Sequence, residues 1–244
     1  MTFATEMLLG GVGLMAGFVD AIAGGGGLLT VPALLMAGLS PQAALATNKG
    51  QSVWGSGMAF LRFYRSPLLD RKRVIPSFLA GFVGTLGGVW VMLRIEPAVL
   101  RPMVMLMLAA VGVFMIFYRP PVTHGERQAS RHPLPGIVTI AVAIGFYDGF
   151  FGPGTGTFLI LAFVLYFKDL LHEASANAKV VNFASNLGAV MVFLMIGFID
   201  WRAAIPMACG QAIGGWMGAH ITVRHGVGLV RVAMVVVSLV MVAR

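Results

Sequence analysis

Residues 17–30 read GFVDAIAGGGGLLT, and the reading of this stretch decides the fold. An acid, Asp20, stands among some of the most apolar residues of the chain, four positions before the run Gly24–Gly27. Adjacent glycines disfavour a continuous helix, because each surrenders more backbone freedom than any other residue. A carboxylate in an oily segment is expensive and marks a functional site by default. An apolar segment carrying both predicts a broken helix or a re-entrant hairpin. Such irregular backbone is tolerated at membrane depth only where protein or a water-filled cavity surrounds it.

The whole chain supports a membrane setting. Of 244 residues, 58% are hydrophobic and 11% charged, with a mean hydropathy of +0.89, whereas soluble domains carry about 25% charge. No basic leader precedes the first apolar run, which holds Glu6 instead, so that run is expected to stay in the fold. The single cysteine, Cys209, excludes an intrachain disulfide and a cysteine metal cluster, and reads as a small packing residue. The net charge of +8 comes from arginines in short breaks, as in RFYRSPLLDRKR at residues 62–73. That placement reads as membrane topology. No basic helix or stripe is present to track phosphates, so nucleic acid is not an expected partner.

The opening motif returns as GFYDGFFGPGTG at residues 145–156. Gly17, Phe18, Asp20, Gly24 and Gly26 match Gly145, Phe146, Asp148, Gly152 and Gly154 at an offset of 128. Lys49, Asp70, Pro76, Gly84, Gly88, Arg94 and Arg101 then match Lys179, Asp200, Pro206, Gly214, Gly218, Arg224 and Arg231 at an offset of 130. Two internal repeats follow, residues 1–119 and 136–244, joined by a polar, proline-punctuated loop at 120–135. Apolar runs fall at about 5–23, 28–38, 43–61, 74–93 and 98–118, and again at about 136–151, 156–167, 178–198, 203–222 and 226–243. The last three of each half approach the roughly 20 residues a full span needs. The first two are short and joined by the glycine motif. The expected fold is an all-α polytopic membrane protein of two inverted repeats. Each repeat has a glycine-broken helix or re-entrant hairpin plus three full transmembrane helices.

Charge agrees with that topology. If each short pair enters and leaves on one side, loops 62–73, 119–131, 168–172 and 224–231 share a side. They hold most of the basic residues, including Arg62, Arg65, Arg71, Lys72, Arg73, Arg127 and Lys168. Arg94, Arg101, Arg202 and Arg244 fall opposite. The positive-inside rule then places both termini outside. A single crossing by each pair would make the repeats parallel and the charge split less clean.

A half-helix starting near Leu28 would present unpaired N–H groups at the positive end of its dipole. The second motif repeats the design, with Pro153 and Thr155 suited to a helix start. Two such ends facing each other would make an anion site, whose backbone comes from Gly24, Gly25, Gly26, Gly27, Gly152, Gly154, Thr155 and Gly156. The alternative for glycine is tight helix packing, which accounts well for Gly84, Gly88, Gly214 and Gly218. Three roles are open to Asp20 and Asp148: capping the glycine turns, pairing with Lys49 or Lys179, or carrying a proton.

A second polar cluster lies in the third run of each half. LATNKGQSVWGS holds Thr47, Asn48, Lys49, Ser52 and Ser56, and ANAKVVNFASN holds Lys179, Asn182, Ser185 and Asn186. Lys49, Ser52 and Ser56 share a helix face, and Lys179, Asn182 and Asn186 repeat it. Helix–helix hydrogen bonding, or lysines snorkelling to water, are the structural alternatives. Asp70 and Asp200 sit at loop ends, where water is expected to solvate them.

These two regions strongly resemble the signature regions of the sulfite exporter TauE/SafE family, also called the sulfonate uptake permeases. The resemblance covers nearly the whole chain, including the GFIDW at 197–201. It implies a multi-pass permease of the bacterial inner membrane for small sulfur-containing anions such as sulfite, thiosulfate or sulfonates. Carried over position by position, it singles out Asp20 with Gly24–Gly27, Thr47, Asn48 and Lys49. From the second half it takes Asp148 with Gly152, Pro153, Gly154 and Gly156, then Lys179, Asn182 and Asn186. The expected partners are the anion and the lipid bilayer, with a homodimer left open. Neither cofactor nor metal is expected, and no catalytic residues: the chain lacks a G-x-x-x-x-G-K-[ST] motif and a nucleophile–base set. A proton-coupled secondary transporter is the leading reading. A passive anion channel on the same scaffold is the alternative, and a thiol relay through Cys209 a more distant one.

Overall fold

The computed structural model describes residues 2–117 and 134–225. Among these residues the chain is all helical: α1 (Phe3–Ala23), α2 (Gly27–Met36), α3 (Pro41–Tyr64), α4 (Arg71–Met92), α5 (Pro97–Phe117), α6 (Leu134–Phe150), α7 (Thr155–Phe167), α8 (Leu171–Ile196) and α9 (Trp201–His225). The expected final run at 226–243, the basic loop 119–131, Arg231 and Arg244 lie outside the described residues.

The boundaries follow from local chemistry. α1 stops at Gly24, whose φ of 79° lets its amide bond back to the Asp20 carbonyl. The hydroxyl of Ser40 accepts from the Ala43 amide ahead of Pro41, a favourable entry to α3. Asp70 and Asp200 are not simply solvated. Both are half-buried and act as N-caps, Asp70 Oδ1 accepting from the Lys72 amide at 3.0 Å and Asp200 Oδ1 from the Ala203 amide at 3.1 Å.

Among the described residues four helices are long and apolar enough to cross a membrane: α1, α4, α8 and residues 97–115 of α5. α3 and α9, at 24 and 25 residues, are long enough but more polar. Around each glycine break the lengths differ. α1 has 21 residues and α2 only 10, while α6 has 17 and α7 has 13. α1 is therefore longer than the short element expected of the first pair, and its 21 residues suffice to span.

Helix packing is reciprocal between the chain's halves. α1 runs along α9, and α6 runs along α4. Small residues set these contacts. A Cβ on Gly13, Gly17, Gly214 or Gly218 would strike backbone across the α1–α9 seam, and one on Gly84, Gly88 or Gly145 would do so across α4–α6. The packing role expected of Gly84, Gly88, Gly214 and Gly218 is the one observed. α3 and α8 cross in the middle, where Asn186 Nδ2 donates to Ser56 Oγ at 3.3 Å.

One polar network was not foreseen. Arg73, counted in the sequence as a loop cation, is 3% exposed. Its guanidinium lies 2.7 Å from Asp169 Oδ2 and 3.3 Å from Asp70 Oδ2, and over the Phe167 ring at 4.5 Å. Asn177 Nδ2 also donates to Asp169 at 3.0 Å, and its Oδ1 accepts from the Asp70 amide. The network ties the start of α4 to the α7–α8 junction. Arg73→Met would strand a buried carboxylate, a change that typically costs about 3–5 kcal/mol. Thermal unfolding in detergent is expected to show a large drop for this variant and partial recovery in Arg73→Met/Asp169→Asn. An unchanged melting temperature for the single variant would refute that role.

Candidate functional site

The two glycine turns meet. A Cβ on Gly24 would fall onto the Gly156 carbonyl carbon, and one on Gly27 would lie 3.0 Å from Pro153 Cα. Residues with any larger side chain could not bring these backbones together. At the start of α2 the amides of Gly25, Gly26 and Gly27 donate to no protein acceptor among the described residues, and no side chain caps the helix. At the start of α7 the amides of Gly154 and Gly156 are likewise unpaired, and Gly154 has a φ of 86°. Two helix N-termini with unpaired donors therefore adjoin in the interior.

The charged groups are cross-paired. Lys49 of α3 reaches Asp148 of α6, Nζ to Oδ1 at 2.6 Å, both side chains 3% exposed. Lys179 of α8, fully buried, reaches Asp20 of α1, Nζ to Oδ2 at 2.8 Å. Each lysine thus serves the acid of the opposite half. The snorkelling alternative does not apply, since neither ammonium reaches water. Desolvated charges of this kind persist only when paired.

Hydroxyls and amides fix the remaining geometry. The Ser185 hydroxyl donates to Asp148 Oδ2, and Thr155 Oγ1 lies 2.7 Å from Asp148 Oδ1. Asn182 Nδ2 donates to Asp20 Oδ2 at 3.3 Å, and its Oδ1 accepts from Asn186 Nδ2 at 2.8 Å. Asn48 Oδ1 accepts from Thr30 Oγ1 at 2.6 Å and from Gln51 Nε2 at 2.9 Å. Carbonyls exposed where α1 ends are satisfied from the other half. Thr157 Oγ1 donates to the Ala23 carbonyl at 2.8 Å, and Ser175 Oγ to that of Ala21 at 3.0 Å. The Tyr147 hydroxyl donates to the Pro153 carbonyl at 2.6 Å, pinning the second turn.

At the centre is a polar cavity of about 20 Å³, room for roughly one water. Among the sequence candidates, Asp20, Gly24, Gly27, Asn48 and Lys49 line it from the first half. Asp148, Gly152, Thr155, Gly156, Asn182 and Asn186 line it from the second. Gly25, Gly26 and Gly154 lie in the turns but off the lining, and Lys179 meets it only through Asp20. Thr47 is directed elsewhere: its hydroxyl accepts from the Asp200 amide at 2.9 Å. Ser52 also lines the cavity. Sequence reasoning named Ser185 and Ser52 in the polar cluster without making them site residues, and passed over Thr157, Ser175 and Tyr147. Their signal, a single hydroxyl in an apolar helix, is common and points nowhere by itself.

A larger hollow of about 610 Å³ lies between α3 and α8, but Trp54, Phe183, Leu187, Leu194 and Trp201 line it. It offers an anion no charged side chain. Cys209 is exposed and borders a second apolar groove beside Trp54 and Trp201, away from the charged pairs. Among the described residues no group of three or more His, Cys, Asp or Glu is placed to hold a metal.

A polytopic helical bundle whose broken helices bring charges and unpaired amides to one interior point has the architecture of a membrane transporter. The comparisons agree: the family model described as "Sulfite exporter TauE/SafE" matches residues 9–244, and the chain belongs to that family. It is 38% identical to the "Probable membrane transporter protein YfcA" of Escherichia coli K12, over 96% of this chain and 86% of the relative. It is 37% identical to a "Probable membrane transporter protein" of Haemophilus influenzae, over 96% and 91%. The "Probable membrane transporter protein YunE" of Bacillus subtilis is 23% identical, over 91% and 89%. No solved structure matches the chain. The protein is a multi-pass membrane transporter of the TauE/SafE family.

Proposed function

We propose that the chain is a secondary transporter that carries a small sulfur-containing anion, such as sulfite, thiosulfate or a sulfonate, across the bacterial inner membrane with a proton. The observation that carries this reading is the junction of the two glycine turns. There, unpaired amides of α2 and α7 adjoin two lysine–carboxylate pairs contributed crosswise by the two halves. Helix N-termini favour oxyanions through donors and dipole together, and two lysines add positive charge. The family's description supplies the sulfur class.

The cavity is too small for a sulfur oxyanion as it stands. This favours a carrier, which must rearrange to load, over a standing channel. The reciprocal packing of α1 on α9 and α6 on α4 supports reading the chain as two related halves, 1–119 and 136–244, that move against each other. A binding screen on purified protein with sulfite, thiosulfate, sulfoacetate, sulfate and chloride tests the substrate class. Saturable binding of one or more sulfur anions, well above chloride, is expected. Binding of neutral or cationic solutes alone would overturn it.

A further inference from the structure

We propose that the two matched carboxylates do different work: Asp20 is the proton-carrying group of the transport cycle, and Asp148 is a fixed brace that stays paired with Lys49. The inference rests on the anion-transport reading above.

The charge sum of the site sets the problem. Lys49, Lys179, Asp20 and Asp148 add to zero in two closed pairs. An anion entering this interior either adds an uncompensated buried charge or arrives with a proton that neutralises one carboxylate. In the second case a lysine is released to the anion; for a monovalent anion the sum remains zero, and for a divalent one the excess falls from two charges to one. One carboxylate must therefore accept a proton and let its lysine go.

The geometry separates the candidates. Both oxygens of Asp148 are engaged, Oδ1 by Lys49 and Oδ2 by the Ser185 hydroxyl, with Thr155 also against Oδ1. Its side chain is 3% exposed. Three of its roughly four lone-pair sites are taken, which leaves little room for a proton. Asp20 differs in each respect. Lys179 and Asn182 both bond to Oδ2, while Oδ1 meets no donor among the described residues. Its side chain is 17% exposed and lines the cavity. An open lone pair with access is where a proton can land. When it does, Lys179 Nζ loses its counter-ion a short distance from the unpaired amides.

The ionisable surroundings of Asp20 are few. Lys179 of α8 is its partner, and Lys49 of α3 and Asp148 of α6 are the other charges at the cavity. α2 and α7 carry no Asp, Glu, Lys, Arg or His. On α9, neither Arg202, His220 nor Arg224 pairs with it, and His220 instead accepts from Arg62. Among the described residues no other ionisable side chain lines the cavity.

The test is anion binding to full-length protein in detergent from pH 5 to 9, with thiosulfate and methanesulfonate, whose charges stay fixed over that range, and with sulfite corrected for its own proton. An indicator dye in weak buffer reads proton uptake. Wild type is expected to take up protons on binding and to lose affinity by up to about tenfold per pH unit at the alkaline end. Asp20→Asn is expected to bind with little pH dependence and no proton uptake. The neutral pair Lys49→Met/Asp148→Asn, which leaves the charge sum at zero, is expected to bind more weakly at every pH while keeping the pH slope. Proton-free binding by wild type overturns the proposal even if no variant folds. So does a wild-type pH slope in Asp20→Asn, or loss of the slope in Lys49→Met/Asp148→Asn. If wild type binds none of the three anions at any pH, the substrate reading itself falls and this proposal with it.

Discussion

Lys49→Ala is expected to abolish anion uptake and to destabilise the protein, because it removes a cation from the proposed substrate site and strands Asp148 in the interior. Stranding a buried charge typically costs about 3–5 kcal/mol, and Asp148 is 2% exposed. Loss of a charge-assisted contact to the anion adds about 1.5–3 kcal/mol in binding, roughly ten- to a hundredfold. The neutral double variant Lys49→Met/Asp148→Asn separates the effects. It should recover much of the melting temperature while uptake into liposomes stays lost. Full uptake by the double variant would remove Lys49 from the site. Unchanged stability in Lys49→Ala would mean that the pair of 2.6 Å does not hold α3 to α6.

The second large effect is expected at Gly24. Its φ of 79° disfavours any side chain, and a Cβ there would land on the Gly156 backbone. The left-handed conformation alone costs a non-glycine residue roughly 1–2 kcal/mol. The overlap adds a displacement of one turn from the other, and with it the adjacency of the two helix ends. Gly38 supplies the control, with a φ of 93° and nothing within 4 Å of its Cβ position. Gly38→Ala should carry only the conformational cost and retain transport. Gly24→Ala should lose both stability and transport, read by thermal unfolding and liposome flux. Equal effects from the two variants would show that contact between the turns is immaterial.

Most helix positions were legible in the sequence, because apolar runs there end on glycine, proline or aspartate. The glycine turns were legible as well, since four adjacent glycines in an oily segment have few structural uses. The cross-pairing was not. Lys49 lies 99 positions from Asp148 and Lys179 lies 159 from Asp20, and only the packing of α3 against α8, with α6 on α8 and α1 against both α3 and α8, brings them together. Thr47 shows a limit of composition. Adjacent helix residues point about 100° apart, so Thr47, Asn48 and Lys49 spread over about 200° and could not all face the cavity, and the sequence does not say which is left out. Arg73 shows another. A basic residue near a helix start reads as topology until the fold buries it against Asp169.

That buried arginine has no twin. At the offset of 130 its counterpart is Ala203, and the counterpart of Asp169 is Leu39. One mouth of the bundle is thus fastened by ions and the other by oil. If the halves rock about the central junction, the two doors need unequal work to open. Such a bias cannot alter the final gradient, which the coupled solutes alone determine. On the carrier reading proposed above, it sets the side on which the empty protein waits for its next passenger.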